Sequence, residues 1–148
     1  MGGPGEERDI SLQSGKAIQL ALEAIGYNAF GITLGKKLSD IISDLNSVDL
    51  VFLGLHGSNG ENGTIQGFLK SLGVKYTGSD PLSSAICMDK NISKIIARNS
   101  KVNTPNWEIV TRGQTLIGDN FEFPLVIKPN DQGSTVGLTI VHLSLIHI

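Results

Sequence analysis

The sequence has little of three features that define common classes of protein. It contains one cysteine, Cys87, so no disulfide can form within the chain. Its 12 basic and 14 acidic residues give a formal net charge of -2, and the basic residues are scattered, which argues against a surface for nucleic acid or an anionic membrane. Apolar stretches such as residues 50–55 are far shorter than the roughly 20 residues that span a bilayer. We therefore expect a cytoplasmic protein without nucleic-acid or membrane partners.

Glycine and apolar residues are well represented. The chain has 148 residues, of which 40% are apolar and 18 are glycine. A chain of this length and composition can bury the core of one domain, or of one domain and a fragment of a second. The glycines lie mostly between predicted elements, where they allow backbone to approach a ligand closely.

Hydrophobic periodicity predicts alternating helices and strands. The predicted helices are residues 11–26, 38–45, 64–72, 82–88 and 91–98, and the predicted strands are residues 29–34, 50–55, 74–77, 107–111, 124–129 and 138–141. The run at 50–55 is apolar without alternation, which is typical of a strand covered on both faces in a parallel sheet. The pattern predicts an α/β fold, in which ligands gather beyond the carboxyl ends of the strands. A domain boundary is expected near residues 89–91.

Three stretches are placed where such ligands would bind. The first, residues 2–12, carries glycines before a helix start, together with Glu6, Glu7 and Asp9. Backbone N–H groups there could contact a charged ligand, although the acidic residues would equally favour the positive end of a helix dipole. The second, residues 55–63, places His56 and Gly57 at the end of the buried strand and before a flexible polar loop. This histidine is either a functional group or a structural one.

The third stretch, residues 128–137, begins with Lys128 at the end of an apolar strand and continues into a loop of small residues. A lysine there can bind phosphate oxygens while glycine and hydroxyl residues let the backbone close over them. The order of residues differs from that of a P-loop, and no helix follows. The alternative is an ordinary β-hairpin with a solvated lysine.

In this order and spacing, the three stretches resemble the D-alanine–D-alanine ligase family. The blocks at residues 63–67, 76–79 and 84–90 also match, and the resemblance runs from Gly2 to Val141 without forced gaps. It implies a Rossmann-like, parallel-sheet amino-terminal domain of the pre-ATP-grasp type at residues 1–89, which binds substrate. The truncated start of an ATP-grasp domain would follow at residues 90–142.

The resemblance also implies roles for particular residues. Glu7 would bind the ammonium of the first D-alanine, Ser134 would hydrogen-bond this glutamate, and both would be catalytic. His56 and Gly57 would lie beside the same substrate. The residues that would hold the phosphates of ATP are Lys90, Lys128, Gly133, Ser134, Thr135, Val136 and Gly137.

An ATP-dependent ligase of this family joins two D-alanines through an acyl phosphate to supply the peptidoglycan of the cell wall. The resemblance implies ATP, D-alanine and Mg²⁺ as ligands and a homodimer as the assembly of the parent enzyme. The family's metal ligands, transition-state arginine and mobile loop are matched by no residue here, so no metal ligand is assigned and the chain alone is expected to be inactive.

The sequence departs from the family pattern in three places. Thr135 stands where the family commonly has a serine, which keeps the hydroxyl. The family's first β-strand would precede Gly2, and here only Met1 occupies it. Residues 143–148 match the translation of a transposon-end adapter used in sequencing libraries, so we expect a non-native tail.

Two alternatives remain open from the sequence. The parent enzyme could instead join D-alanine to D-lactate or D-serine, because that choice depends mainly on the unmatched mobile loop. The chain could also be a non-catalytic binding or dimerisation module. The sequence contains Glu7, Lys128 and Ser134 together, which argues against such a module. A module that only binds or dimerises needs no lysine to bind phosphate.

Overall fold

The computed structural model describes residues 1–114 and 121–142, and the predicted tail at 143–148 lies outside them. The chain divides into two compact units, Met1–Ile86 and Cys87–Ile148. The described elements are α1 (Arg8–Ala24), a 3-10 helix (Leu38–Ile41), α2 (Ile42–Leu45), α3 (Ser58–Glu61), α4 (Thr64–Ser71), α5 (Pro81–Met88), α6 (Lys90–Asn99), β1 (Leu125–Ile127) and β2 (Thr139–Val141). The interpretation of residues 1–89 as a substrate domain and of 90–142 as the start of an ATP-grasp domain stays a prediction.

The helices lie where the periodicity predicts them, with shifts at their ends. Helix α1 begins at Arg8 rather than at residue 11, because the chain turns helical directly after the glycine-rich turn. It ends before Gly26, whose φ of 93° a helix cannot accommodate. Helix α5 starts at Pro81, one residue before the predicted range of 82–88, and the Asp80 carboxylate accepts the Ser83 backbone N–H at 2.7 Å. Helix α3 was not predicted, since its residues read as a polar loop.

The core of the first unit is built from loops and short helices. Its buried residues are Leu34, Ile41, Leu45, Ile65 and Leu69, and partly buried side chains such as Leu53, Leu55 and Phe68 pack against them. Helix α4 supplies Ile65 and Leu69 at i and i+4, which places both on one face. The unit is therefore held by apolar packing between elements that are distant in sequence.

The prediction of continuous strands in the first unit is wrong. In the described residues the predicted parallel sheet is reduced to two parallel bridges, Gly2 with Leu34 and Val51 with Tyr76. The Leu34 N–H donates to the Met1 carbonyl at 2.9 Å, and the Thr77 N–H donates to the Val51 carbonyl at 3.0 Å. An apolar run becomes a regular strand only where a neighbour supplies a ladder of hydrogen bonds, and here the pairing stops after one residue.

The second unit contains a helix and a hairpin. Strands β1 and β2 pair antiparallel, with Leu125 opposite Val141 and Ile127 opposite Thr139, which confirms two predicted strands in shortened form. The strand predicted at 107–111 is not formed. Val141 is the one buried residue among the described residues of this unit, and α6 buries none. Among residues 1–114 and 121–142, no helix is both long and apolar enough to cross a membrane.

Candidate functional site

A glycine turn holds the start of α1 in the first unit. Gly2 and Gly3 have φ angles of 86° and 99°, which residues with a side chain rarely adopt. The Gly2 N–H donates to Ser11 Oγ at 2.9 Å, and the Ser11 hydroxyl donates to the Gly54 carbonyl at 2.7 Å. Arg8 donates to the Gly3 carbonyl at 2.9 Å. Because Ser11 is fully buried, these bonds are shielded from water and fix the turn against the neighbouring segment.

The Glu7 carboxylate lies against Gly57. Glu7 is the residue before α1 and is partly buried, whereas Glu6 is exposed. Gly57 is buried with a φ of 61°, and a Cβ added there would collide with Glu7 Oε2. The space that a side chain would need at Gly57 is thus occupied by this carboxylate. Two of the residues selected from the sequence, about fifty positions apart, are in contact.

His56 lies next to this contact and is held by two polar side chains. Its Nε2 lies 3.0 Å from Ser14 Oγ, where the donor depends on the imidazole tautomer. Its Nδ1 lies 4.0 Å from Glu61 Oε1 on α3, which is an ion pair when the imidazole is protonated. Sequence reasoning missed both partners. The three-residue spacing of Ser11 and Ser14, which puts both on one helix face, was the available signal for Ser14.

Lys90 begins α6 in the second unit and is tied to the loop after β1. Its ammonium donates to the Asn130 carbonyl at 3.1 Å and to the Gln132 carbonyl at 2.6 Å. Asp89 caps the helix, since its carboxylate accepts the Ile92 N–H at 2.8 Å. That backbone hydrogen bond is the main reason that the pKa of Asp89 lies below its usual value. Lys90 is therefore held by its helix and by the predicted phosphate loop.

The loop of residues 133–137 has an unusual backbone. Ser134 and Thr135 have φ angles of 49° and 65°, and Gly137 has 70°. The Val136 N–H closes one turn on the Gly133 carbonyl at 3.0 Å. Left-handed backbone at a non-glycine residue costs about 1 kcal/mol or more, and such strain is concentrated at functional sites.

Positive charge gathers near the loop. Lys128 follows β1 directly and is exposed. The pKa of Lys94 lies below its usual value because of partial burial first, and then because of the positive charges of Lys128 and Arg98. Both Lys94 and Arg98 lie over the Trp107 ring, at 5.2 and 4.3 Å from its centroid. Lys94 and Arg98 are thus engaged with Trp107, and Lys128 is the exposed cation that directly follows β1. Within the described ranges, no group of three or more His, Cys, Asp or Glu is placed to hold a metal ion.

Comparison with known proteins identifies the family. Residues 35–79 match the family model described as "D-ala D-ala ligase N-terminus". D-alanine–D-alanine ligase from Bacillus anthracis is 45% identical over 145 residues, covering 96% of this chain and 47% of the relative. The ligase from Aquifex aeolicus is 43% identical over 142 residues, covering 95% of this chain and 48% of the relative.

Solved structures agree with these sequence matches. A crystal structure of the Bacillus anthracis ligase has a TM-score of 0.87 and 44% identity, covering 97% of this chain and 48% of that one. The structure of that ligase complexed with ATP has a TM-score of 0.85 and 41% identity, covering 97% of this chain and 49% of that one. The chain spans about half the length of the curated relatives that it matches. It belongs to the D-alanine–D-alanine ligase family and corresponds to the amino-terminal part of its members.

Proposed function

We propose that the protein containing this chain is an ATP-dependent ligase that joins two D-alanines through an acyl phosphate. The observation that carries the proposal is the contact of the half-buried Glu7 carboxylate with Gly57, beside His56. A carboxylate held by a close backbone approach can bind a substrate ammonium and orient the attached carboxylate for reaction. Similarity to named ligases over 96% of the chain supports the choice of D-alanine.

We propose that Lys90, Lys128 and the loop Gly133–Gly137 hold the phosphates of ATP. Lys90 already donates to the carbonyls of Asn130 and Gln132, just before this loop, and Lys128 adds a positive charge at the end of β1. Lysine ammonium groups and backbone N–H groups from Ser134, Thr135 and Val136 would stabilise charge that develops on the transferring phosphoryl group. The antiparallel pair β1–β2 supports the assignment of residues 90–142 to the start of an ATP-grasp domain, after a Rossmann-like domain at 1–89.

The remaining roles follow from the family. Ser134 would hydrogen-bond Glu7, and His56 would line the pocket of the first D-alanine. Mg²⁺ ligands and the choice of second substrate would involve residues beyond those matched here, and the parent enzyme would be a homodimer. We infer that the protein acts in the cytoplasm, and that residues 1–148 alone do not turn over substrate.

Substitutions at two neighbouring glutamates test this function. The test protein is a ligase in which residues 2–141 are joined to a first strand and a carboxyl-terminal half taken from a member of the family. Glu7→Gln removes the charge that would hold the substrate ammonium, while Glu6→Gln changes an exposed side chain at the same turn. A charged hydrogen bond of about 1.5 to 3 kcal/mol predicts a loss in kcat/KM of about tenfold to 150-fold for Glu7→Gln. Glu6→Gln should change the rate little.

Steady-state kinetics at saturating ATP would measure the two variants, with D-lactate and D-serine as competing second substrates. Equal effects of the two substitutions would contradict the role of Glu7. Preferential incorporation of D-lactate or D-serine would keep the ligase chemistry and change the product. Phosphate release by the unextended chain, stimulated by D-alanine and absent in Lys128→Ala, would contradict its inactivity.

A further inference from the structure

The start of α6 and the loop after β1 are joined by hydrogen bonds that converge on Asn130. The Asn130 carbonyl accepts the Lys90 backbone N–H at 3.1 Å and the Lys90 ammonium at 3.1 Å. The Asn130 side-chain Oδ1 accepts the Asn91 N–H at 2.9 Å. This one residue, 40 positions from Lys90, satisfies helix N–H groups that would otherwise lack a partner.

The other end of the Asn130 amide contacts the helix cap. Its N–H₂ group is close enough to the Asp89 carboxylate to help lower the pKa of Asp89, after the larger effect of the Ile92 N–H. A carboxylate can only accept, so the amide nitrogen of Asn130 must face Asp89. The Asn91 N–H donates to Oδ1 of the same amide, which requires the same orientation. An asparagine supplies an acceptor and a donor at once, whereas aspartate supplies only acceptors and alanine supplies neither.

Lys90 is consequently held both at its backbone and at its ammonium group. Its backbone is fixed in the first position of α6, and its ammonium donates to Asn130 and Gln132. Lysine side chains normally keep several rotamers, and ordering one costs up to about 2 kcal/mol. Here the cost is met before any ligand arrives, and two of the three ammonium N–H groups are used by these two contacts.

We propose that Asn130 is a positioning residue for Lys90: it locks the start of α6 to the loop after β1, so that the Lys90 ammonium is preorganised for a phosphate of ATP. The phosphate ligand of Lys90 rests on the proposed function, whereas the locking of Lys90 by Asn130 does not. The Asn130 carbonyl remains in any variant, so the side chain is the part that mutation tests.

Nitrogen-15 NMR of the lysine ammonium groups tests the inference on the 148-residue chain, with ATP as the probe. We expect a slowly exchanging Lys90 ammonium signal that ATP shifts. Asn130→Ala should move this signal to the averaged lysine position and weaken ATP binding about threefold to tenfold, the factor expected for one net hydrogen bond. The control is Asn106→Ala, which removes the partner of Arg98 in the same unit and should leave Lys90 unchanged.

The Lys94 signal separates positioning from loss of structure. Lys94 donates to the Pro105 carbonyl at 2.9 Å and lies over Trp107, so unfolding of this unit would change its signal as well. A change at Lys90 alone supports the inference. If Asn130→Ala also disturbs the Lys94 signal, Asn130→Asp is the variant that tests the inference. It keeps the acceptor for the Asn91 N–H but places a second carboxylate beside Asp89. The Lys90 ammonium signal should then move partly towards the averaged lysine position.

The outcomes distinguish the inference from the proposed function. If Lys90 is ordered and ATP binds equally well in the unchanged chain and in both Asn130 variants, the inference is overturned and the ATP site stands. If both variants release Lys90 but ATP shifts no lysine signal even in the unchanged chain, Asn130 positions Lys90 and the proposed phosphate role fails.

Discussion

The two units hold their candidate site residues by different means. In Met1–Ile86, five buried apolar residues form a core, and Glu7, His56 and Gly57 lie on segments attached to it. In the described part of Cys87–Ile148, Val141 alone is buried, and Lys90 is held by hydrogen bonds to a loop. Apolar packing tolerates changes in pH and salt, whereas polar contacts at a surface are weakened by both.

This difference bears on what each set of residues would do. Residues that select a small substrate benefit from a rigid setting, which the first unit provides. Residues that close over phosphates must form and break contacts as nucleotide enters and leaves, and polar contacts of modest strength allow this. The contrast predicts that core mutations damage the first unit most, and that acid affects the second unit first.

The largest effect is expected in the core of the first unit. Leu69 is fully buried, and Leu69→Ala should destabilise the unit by about 2 to 5 kcal/mol through lost burial and a cavity. Leu72→Ala, three residues later and 43% exposed, should cost far less. Urea denaturation followed by circular dichroism measures both. Similar midpoints for the two variants would mean that apolar packing does not hold this unit.

A smaller loss is expected from Ser11→Ala. The substitution leaves the buried Gly2 N–H and Gly54 carbonyl without the Ser11 hydroxyl, at a total cost of about 1 to 3 kcal/mol. Ser71→Ala removes an exposed hydroxyl that donates to the Phe68 carbonyl at 2.7 Å, and should stay within about 0.5 kcal/mol of the unchanged chain. Denaturation curves that place Ser71→Ala at or below Ser11→Ala would contradict the role of burial.

Acid should loosen the two carboxylate caps in a definite order. The pKa values of Asp80 and Asp89 are lowered, mainly by backbone hydrogen bonds from Ser83 and Ile92. A lowered folded-state pKa stabilises the protein at pH values above the unfolded-state pKa of 3.8, and this contribution is lost as the pH falls through the folded-state pKa. Because α6 buries no residue, its first turn should fray before that of α5.

Amide hydrogen exchange at Ser83 and Ile92 between pH 5 and pH 2 would follow this order, after correction for the intrinsic rates. Asp89→Asn keeps an acceptor without the charge, so it should remove the pH dependence at Ile92 and leave Ser83 unchanged. Earlier loss of protection at Ser83 would reverse the comparison between the units.

The smallest effect is expected at the cation pair over Trp107. Arg98→Ala removes a guanidinium 4.3 Å from the ring centroid, and an exposed contact of this kind contributes about 0.5 to 1 kcal/mol. Trp107 is the one tryptophan, so its fluorescence reports denaturation of this unit alone. Arg112→Ala, an exposed arginine in the same unit, is the matched control. Indistinguishable midpoints would show that the stacking adds no stability.

Sequence reasoning located the candidate loops and missed most of their supports. The glycine turn and the buried strand indicate the stretches at 2–12 and 55–63, and the family resemblance singles out Glu7, His56 and Gly57 within them. The structure brings Glu7 and Gly57 into contact. Ser14 and Asn130 could not be singled out from the sequence, because the residues around a polar side chain in a helix or loop do not indicate a distant partner. The roles of the selected residues stay predictions.

The sequence by itself determined the described helices other than α3, the β1–β2 hairpin and the family. Periodicity, caps and turn residues act over a few positions, and motif order is written along the chain. Only the tertiary structure decided how far the apolar runs at 29–34 and 50–55 pair, since a strand depends on a neighbour that its own residues do not specify. It also decided that His56 meets Ser14 and that Lys90 meets Asn130, partners that lie 42 and 40 residues away along the chain. Such contacts are set by the packing of whole elements, so no local sequence pattern predicts them.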